Sequence, residues 1–216
     1  AFRFVYLVAL WISLNAWWIL PFLPLTGEHY KAAEVSGGSL EIFLGGSAYT
    51  GILNSFRLLG YWLLYADFRG DPYFVWAQTY FTPLFILLSL LIPFTVFIAL
   101  LSKPTDKQVL FFTISCICGL FLIKGAAPPF GQVNLWFFTN IPFADAFRVY
   151  YEKFGLIVAL GYAFLIGRSV SELRSHIENS GLISKIRLRR LSAFLVLLLF
   201  ISAYVTYMFP FFTGDV

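Results

Sequence analysis

Residues 83–102 read PLFILLSLLIPFTVFIALLS, a run of twenty residues without one charged side chain. A helix rises about 1.5 Å per residue, so this run matches the roughly 30 Å hydrocarbon core of a bilayer. Backbone amides in lipid need partners within their own segment, which makes each spanning stretch a helix. The sequence therefore predicts an all-α, polytopic transmembrane helix bundle of about five spans, one transmembrane domain covering residues 1–216. The other four apolar stretches are residues 4–25, 108–124, 150–170 and 191–212.

The composition of the whole chain also indicates a membrane protein. Hydrophobic residues make up 60% of the chain and charged residues 12%, whereas soluble domains carry roughly 25% charged residues. The mean hydropathy is +0.81. A soluble fold of this length keeps too much surface in water to hide so many apolar side chains. This excludes a soluble enzyme, a disordered chain and a nucleic-acid-binding protein.

The basic residues predict the orientation. The turn 103–107 contains two lysines, the segment 168–190 contains most of the chain's remaining positive excess, and Arg3 flanks the first span. With five alternating helices these three regions fall on one side, which the positive-inside rule assigns to the cytoplasm. We therefore expect an inner-membrane protein with a cytoplasmic N-terminus and an extracytoplasmic C-terminus.

Two extracytoplasmic loops follow from this topology, residues 26–82 and residues 125–149. The first is long and rich in aromatic residues. Apolar residues recur at helical spacing between Ala48 and Tyr65, which predicts an amphipathic helix lying in the membrane interface. In the second loop the pair Pro128-Pro129 is expected to stop the third span, with a short interfacial helix over residues 132–139.

The two cysteines, Cys116 and Cys118, lie two residues apart in an apolar run. On a helix this spacing directs them to different faces, so neither a disulfide between them nor a shared metal site is expected. Both are interpreted as small core residues.

Charged residues at the outer edge of the bundle are the best candidates for function, because ionisable groups at membrane depth are costly. Arg148 and Glu152 are spaced i,i+4 and Lys153 follows, at the predicted start of the fourth span. Two cations beside the free amides of a helix N-terminus could hold a phosphate. The alternative is an Arg148–Glu152 ion pair with Lys153 reaching to the lipid headgroups.

Two further cations have similar alternatives. Lys124 ends the third span on the same side, where it could contact a phosphate or only reach to the headgroups. Arg57 lies in the predicted interfacial helix and could bind lipid phosphate or mark that helix's polar face.

Glu28, His29 and Glu34 follow the first span. A histidine between two carboxylates could form an acid/base pair or hold a divalent cation, the one cofactor that the residues leave open. Their spacing matches no metal-binding motif, and a solvated loop is the alternative. No residues are assigned as metal ligands.

Five strings, in this order, resemble the polytopic GT-C glycosyltransferases, especially the arabinofuranosyltransferase-like membrane proteins of bacteria and archaea. Together they extend over residues 15–167. They are NAWWILP at 15–21, FRLLGYW at 56–62, TPLFILLS at 82–89, KGAAPPFG at 124–131, and Phe147-Arg148 followed by Glu152-Lys153-Phe154.

The resemblance implies a transfer of sugar from a polyprenyl-phosphate donor to a glycan, lipid or protein acceptor on the outer face. It gives Arg148, Lys153 and Lys124 the role of holding the donor's phosphate. In such enzymes an acidic residue of the first outer loop acts as the base. Because the chain begins at Ala1 inside a span, we expect it to be a fragment whose catalytic acid lies upstream; the alternative is a degenerate relative of these enzymes.

Two other classes stay open. A lipid-linked saccharide transporter or flippase predicts charged residues near the bilayer midplane, whereas the charges of this chain cluster at the predicted interfaces. A non-catalytic membrane subunit would need no cation cluster at the outer edge. All three readings predict contact with membrane lipids, and none predicts a nucleic-acid partner.

Overall fold

A computed structural model describes residues 4–17, 20, 38–141, 144–179 and 186–213 of the chain. Regular structure in these residues is almost entirely helical, which confirms the predicted all-α class. The chain divides into two compact units, Ala1–Ile42 and Phe43–Val216. Within the first unit, the apolar helix α1 covers Phe4–Trp17.

The second unit contains the remaining helices and one two-residue hairpin. Helix α2 crosses the border between the two units. The elements are α2 (Gly38–Ser47), α3 (Ile52–Phe56), a 3-10 turn (Trp62–Leu64), β1 (Asp67–Phe68), β2 (Asp71–Pro72), a 3-10 helix (Val75–Phe81), α4 (Pro83–Ser102), α5 (Lys107–Ile123), α6 (Gly131–Asn140), a 3-10 turn (Ala144–Phe147), α7 (Tyr150–Asn179) and α8 (Ile186–Phe212).

Three helical stretches are long and apolar enough to cross a membrane: Pro83–Ser102, Tyr150–Glu178 and Leu191–Pro210. Helices α1 and α5 are apolar but shorter. Helices long and apolar enough to cross a membrane are thus present at three of the five predicted places. The five-span topology and the sidedness of the chain stay predictions.

Helix α7 lies at the centre of the second unit and packs against α4, α5 and α8. Its closest neighbour is α5, and glycines permit the approach. A Cβ atom at Gly119 of α5 would lie 2.7 Å from the Val158 side chain of α7, and one at Gly161 of α7 would overlap the Cys116 sulfur. Small residues at such contacts let helix backbones come close, which is how membrane helices gain packing energy. The core is formed by Ala99, Val109, Cys116, Ile123, Val158, Tyr162 and Leu165.

The cysteine prediction is half confirmed. Cys116 is buried in the contact between α5 and α7, whereas Cys118 is exposed. The exposed position follows from the predicted two-residue spacing, which turns Cys118 away from α7. The expectation that both belong to the core was therefore wrong for Cys118.

One end of the bundle is held by ion pairs. The Asp106 carboxylate accepts hydrogen bonds from the Gln108 and Val109 amides, which caps α5, and lies 2.9 Å from the Arg168 guanidinium. These bonds, chiefly those from the two amides, hold the pKa of Asp106 below its usual value. Lys103 pairs with Glu172 at 3.7 Å. The turn 103–107 and the second half of α7 therefore meet at one end, as the alternation of spans predicted.

The amphipathic helix predicted between Ala48 and Tyr65 is not formed as one helix. Helix α3 ends at Phe56, and Leu58 has a left-handed backbone with φ of +56°. Leu59 packs into a buried cluster of largely aromatic residues instead of facing the lipid as the predicted helix would require. Packing against these residues outweighs the local helical pattern. The buried members of that cluster are Leu59, Leu64, Ala77 and Tyr80.

The second loop agrees with its prediction in one respect and differs in another. The short helix over residues 132–139 is confirmed as α6. However, α5 ends at Ile123, ahead of the pair Pro128-Pro129. The chain turns at Gly125 with φ of +53°, where a Cβ atom would lie 2.5 Å from the Tyr150 hydroxyl. A glycine turn packed against α7, rather than the double proline, ends α5.

Replacing Gly161 with alanine should destabilise the bundle, because the new methyl group would overlap the Cys116 sulfur. We expect a loss of about 1–3 kcal/mol in the free energy of unfolding, as for other overpacked cores. Gly155→Ala and Gly167→Ala are matched controls on the same helix, since no atom lies within 4 Å of a Cβ at either position. Unfolding in detergent, followed by circular dichroism, measures all three variants.

The two controls should be neutral or slightly stabilising, because alanine favours a helix over glycine by about 1 kcal/mol. Combining Gly161→Ala with Cys116→Ala removes the overlapping sulfur and should recover part of the loss. Equal stability of Gly161→Ala and Gly155→Ala would contradict the described packing of α5 on α7.

Candidate functional site

The end of α5, the start of α7 and the loop after α2 are joined by a hydroxyl network. The Ser47 hydroxyl lies 2.9 Å from the Tyr150 hydroxyl and accepts a hydrogen bond of 2.9 Å from the Ala126 amide. The Thr50 hydroxyl donates to the Lys124 carbonyl at 2.7 Å. Parts of the two predicted outer loops are thereby held together at the end of α7 opposite Arg168.

Lys124 is buried within this network, with only 5% of its surface exposed. Its ammonium donates a hydrogen bond to the Ala127 carbonyl at 2.8 Å and another to the Pro129 carbonyl. The Nζ atom also lies 5.3 Å from the centre of the Phe121 ring. The Lys124 ammonium folds back onto its own loop. It therefore does not extend to the lipid headgroups, which was the alternative to a phosphate contact. Its assignment to a phosphate stays a prediction.

Asn134 of α6 fastens the same loop and was not singled out in the sequence. Its side-chain amide donates to the Phe121 carbonyl at 2.6 Å and to the Gly125 carbonyl at 2.9 Å. These carbonyls lie at the end of α5, where helical partners are missing. An asparagine in a short aromatic helix carries no sequence signal for this role.

Arg57 is also buried, with 4% of its surface exposed. Its Nε donates to the Ser89 hydroxyl at 2.5 Å, and Nη2 donates to the Tyr80 carbonyl at 3.1 Å. The side chain therefore connects the first loop to α4 and does not lie on the polar face of an interfacial helix. A role in binding lipid phosphate stays a prediction.

Arg148 and Lys153 are the predicted site cations that the structure leaves exposed. Lys153 lies in the first turn of α7, with its Nζ 5.5 Å from the centre of the Phe147 ring. The Phe147 ring stacks on Phe154 at a centroid distance of 5.3 Å. Aromatic surface therefore adjoins the exposed cations.

The alternative of an Arg148–Glu152 ion pair is not realised in the described part of the chain. Helix α7 begins at Tyr150, so Arg148 lies before the helix and the i,i+4 geometry does not apply. The Glu152 carboxylate instead lies near the Tyr61 side chain of the first loop. Burial, followed by this contact, raises the pKa of Tyr61 to about 12.

The Tyr61 region is held against α7 by a second contact. The Gly60 amide donates to the Tyr151 hydroxyl at 3.0 Å, and the Tyr61 and Tyr151 rings stack with centroids 6.4 Å apart. The Trp62 ring meets Tyr61 edge-on at 6.3 Å and is 45% exposed. Two residues of the first loop that the sequence marked only as aromatic, Tyr61 and Trp62, are thus brought to the first turn of α7.

Two adjoining apolar clefts flank helix α4, with volumes of about 580 Å³ and 200 Å³. Phe56, Pro93 and Phe97 line both of them. The Thr113 hydroxyl is buried beside the smaller cleft without a hydrogen-bond partner. Together the clefts form a hydrocarbon-lined groove next to the loop that carries Arg57.

Glu28, His29 and Glu34 lie outside the described residues. Their proposed acid/base or metal chemistry is therefore untested and stays a prediction. Of the other predicted site residues, Lys124, Arg148 and Lys153 lie at or near the start of α7, whereas Arg57 lies against α4.

Comparisons with protein families, with curated protein sequences and with solved structures find no match to this chain.

Lys124→Met should lower stability, because it leaves the Ala127 and Pro129 carbonyls without their charged donor while keeping a side chain of similar length. Hydrogen bonds to charged groups contribute roughly 1.5–3 kcal/mol, so we expect a loss of about 2 kcal/mol. Lys107→Met, at the exposed opposite end of α5, is the control and should have little effect. Thermal unfolding of both variants in the same detergent gives the comparison; equal melting temperatures would show that Lys124 does not hold the loop.

Proposed function

We propose that this chain is the donor-binding part of a membrane glycosyltransferase that uses a polyprenyl-phosphate sugar. The acceptor is a glycan, lipid or protein at the outer face of the membrane. The observation that carries the proposal is the exposure of Arg148 and Lys153 at the start of α7, beside the aromatic pair Phe147 and Phe154. The resemblance of these same residues to a GT-C motif supports the same assignment.

The start of α7 has the chemistry that a lipid phosphate requires. The first amides of a helix lack helical partners, and the helix dipole places partial positive charge there. Arg148 supplies a planar fork of donors suited to phosphate oxygens, and Lys153 supplies a compact charge. As sugar leaves the donor, the phosphate gains negative charge. Cations held in place at the start of α7 would stabilise that charge.

Lys124 and Arg57 have a different part in this proposal. Both cations are occupied by hydroxyl or carbonyl groups of the protein. We assign them to holding the two loops in place around the start of α7. The first phosphate contacts are assigned to Arg148 and Lys153, which are exposed.

A polyprenyl donor also needs an apolar surface for its hydrocarbon chain. The groove along α4 is lined by residues such as Phe56, Leu90 and Phe97. It lies among helices that are long and apolar enough to span a bilayer. In the proposed topology α1 and α5 complete five spans, and the α7 end that carries Arg148 faces outside.

The proposal is tested by binding of a polyprenyl phosphate to the chain in lipid nanodiscs. The double variant Arg148→Ala/Lys153→Ala should weaken binding about a hundredfold or more, since each of the two lost charge-assisted hydrogen bonds is worth roughly 1.5–3 kcal/mol. The effect should shrink in high salt, because exposed charges are screened. Native mass spectrometry or microscale thermophoresis measures the affinity.

The matched control is Lys107→Ala/Arg174→Ala. It also removes two positive charges, but at the start of α5 and in the second half of α7, far from Arg148. Both residues are exposed. Its affinity should equal that of the wild type. If the two double variants bind alike, the cations at the start of α7 do not hold the phosphate. A transporter or a non-catalytic subunit then becomes the better reading.

A further inference from the structure

The first loop and α7 form a second polar feature that the phosphate proposal does not use. The Tyr61 ring stacks on Tyr151, the residue before Glu152 in the first turn of α7, with centroids 6.4 Å apart. The Trp62 ring meets Tyr61 edge-on at 6.3 Å. Glu152 and Trp62 both remain exposed.

We propose that Tyr61, Trp62 and Glu152 form a saccharide-binding subsite that receives the sugar ring of the lipid-linked donor. This inference rests on the proposed function, since it names what binds beside the phosphate.

The chemistry of the three side chains suits a sugar. A pyranose or furanose ring has an apolar C–H face that packs on an aromatic face and hydroxyls around its edge. Trp62 offers a large aromatic ring that is 45% exposed. An ionised carboxylate has roughly four lone-pair sites. Glu152 is exposed, so its carboxylate can accept hydrogen bonds from sugar hydroxyls.

The position of Glu152 also suits a sugar attached to a phosphate. Its neighbour Lys153 follows it in the first turn of α7, and consecutive Cα atoms are about 3.8 Å apart. A carboxylate is repelled by phosphate but accepts hydrogen bonds from hydroxyls. The two residues therefore favour the two different parts of a sugar phosphate.

The loop is anchored to α7 directly before Tyr61. The Gly60 amide is bonded to the Tyr151 hydroxyl at 3.0 Å, and a Cβ atom at Gly60 would lie 2.9 Å from the Tyr151 ring. This close contact fixes Tyr61 and Trp62 on α7. A platform that is ordered in advance loses less entropy when it binds.

Two separate probes distinguish this subsite from the phosphate site. The first is a panel of methyl glycosides of glucose, mannose and arabinofuranose, which contain neither lipid nor phosphate. Saturation-transfer NMR on the chain in nanodiscs reports their binding. The second probe is polyprenyl phosphate without a sugar, measured as above.

Glu152→Gln and Trp62→Leu should each weaken binding of at least one methyl glycoside by about tenfold, which corresponds to about 1.4 kcal/mol. Neither should weaken binding of polyprenyl phosphate. Arg148→Ala/Lys153→Ala should show the converse pattern. Trp62→Phe retains an aromatic face and should recover part of the glycoside signal, which separates recognition from misfolding.

The controls are Trp136→Leu, an exposed tryptophan of α6, and Glu178→Gln, at the far end of α7. Both should bind glycosides like the wild type. The subsite is disproved if the wild type gives no glycoside signal, or if Glu152→Gln and Trp62→Leu bind as the controls do. Glycoside binding that depends on Glu152 and Trp62, without phosphate binding that depends on Arg148, would support the subsite and refute the proposed donor.

Discussion

The close contact between α5 and α7 is the constraint on which the rest of this molecule depends. Lipid tails are as apolar as leucine side chains, so helices in a bilayer associate through fitted van der Waals contacts. Here the fit is made by Gly119 against Val158 and by Gly161 against Cys116. Because the two helices run side by side, the end of one lies at the start of the other. The turn at Gly125 and the ring of Tyr150 then occupy one shared space.

The two ends of α7 differ in how they use charge. At one end Arg168 pairs with Asp106, so that charges neutralise each other and join helices. At the other end Arg148, Glu152 and Lys153 are exposed. In the proposed function the exposed charges near aromatic side chains recognise the donor, whereas the Arg168–Asp106 pair joins two helices. The same helix thus carries a structural end and a candidate binding end.

Buried cations show where reasoning from sequence reached its limit. A lysine at the end of a span can extend to headgroups or turn back onto carbonyl groups of its own loop. Lys124 takes the second course because α5 ends at Ile123 and leaves acceptors at Ala127 and Pro129 nearby. Arg57 likewise lies against Ser89, thirty-two positions away in the chain. Spacing along a sequence contains no information on such distant partners.

The sequence alone determined the helical class, the apolar stretches at α4, α7 and α8, and the short helix α6, because these follow from composition and local periodicity. It also placed the turn 103–107 at the same end as Arg168, since alternating spans require it. Only the tertiary structure decided that the first loop breaks at Leu58, that Cys118 faces outward, and that Tyr61 meets Glu152. Each of these depends on contacts between residues far apart in the chain, where packing and hydrogen bonding outweigh local preference.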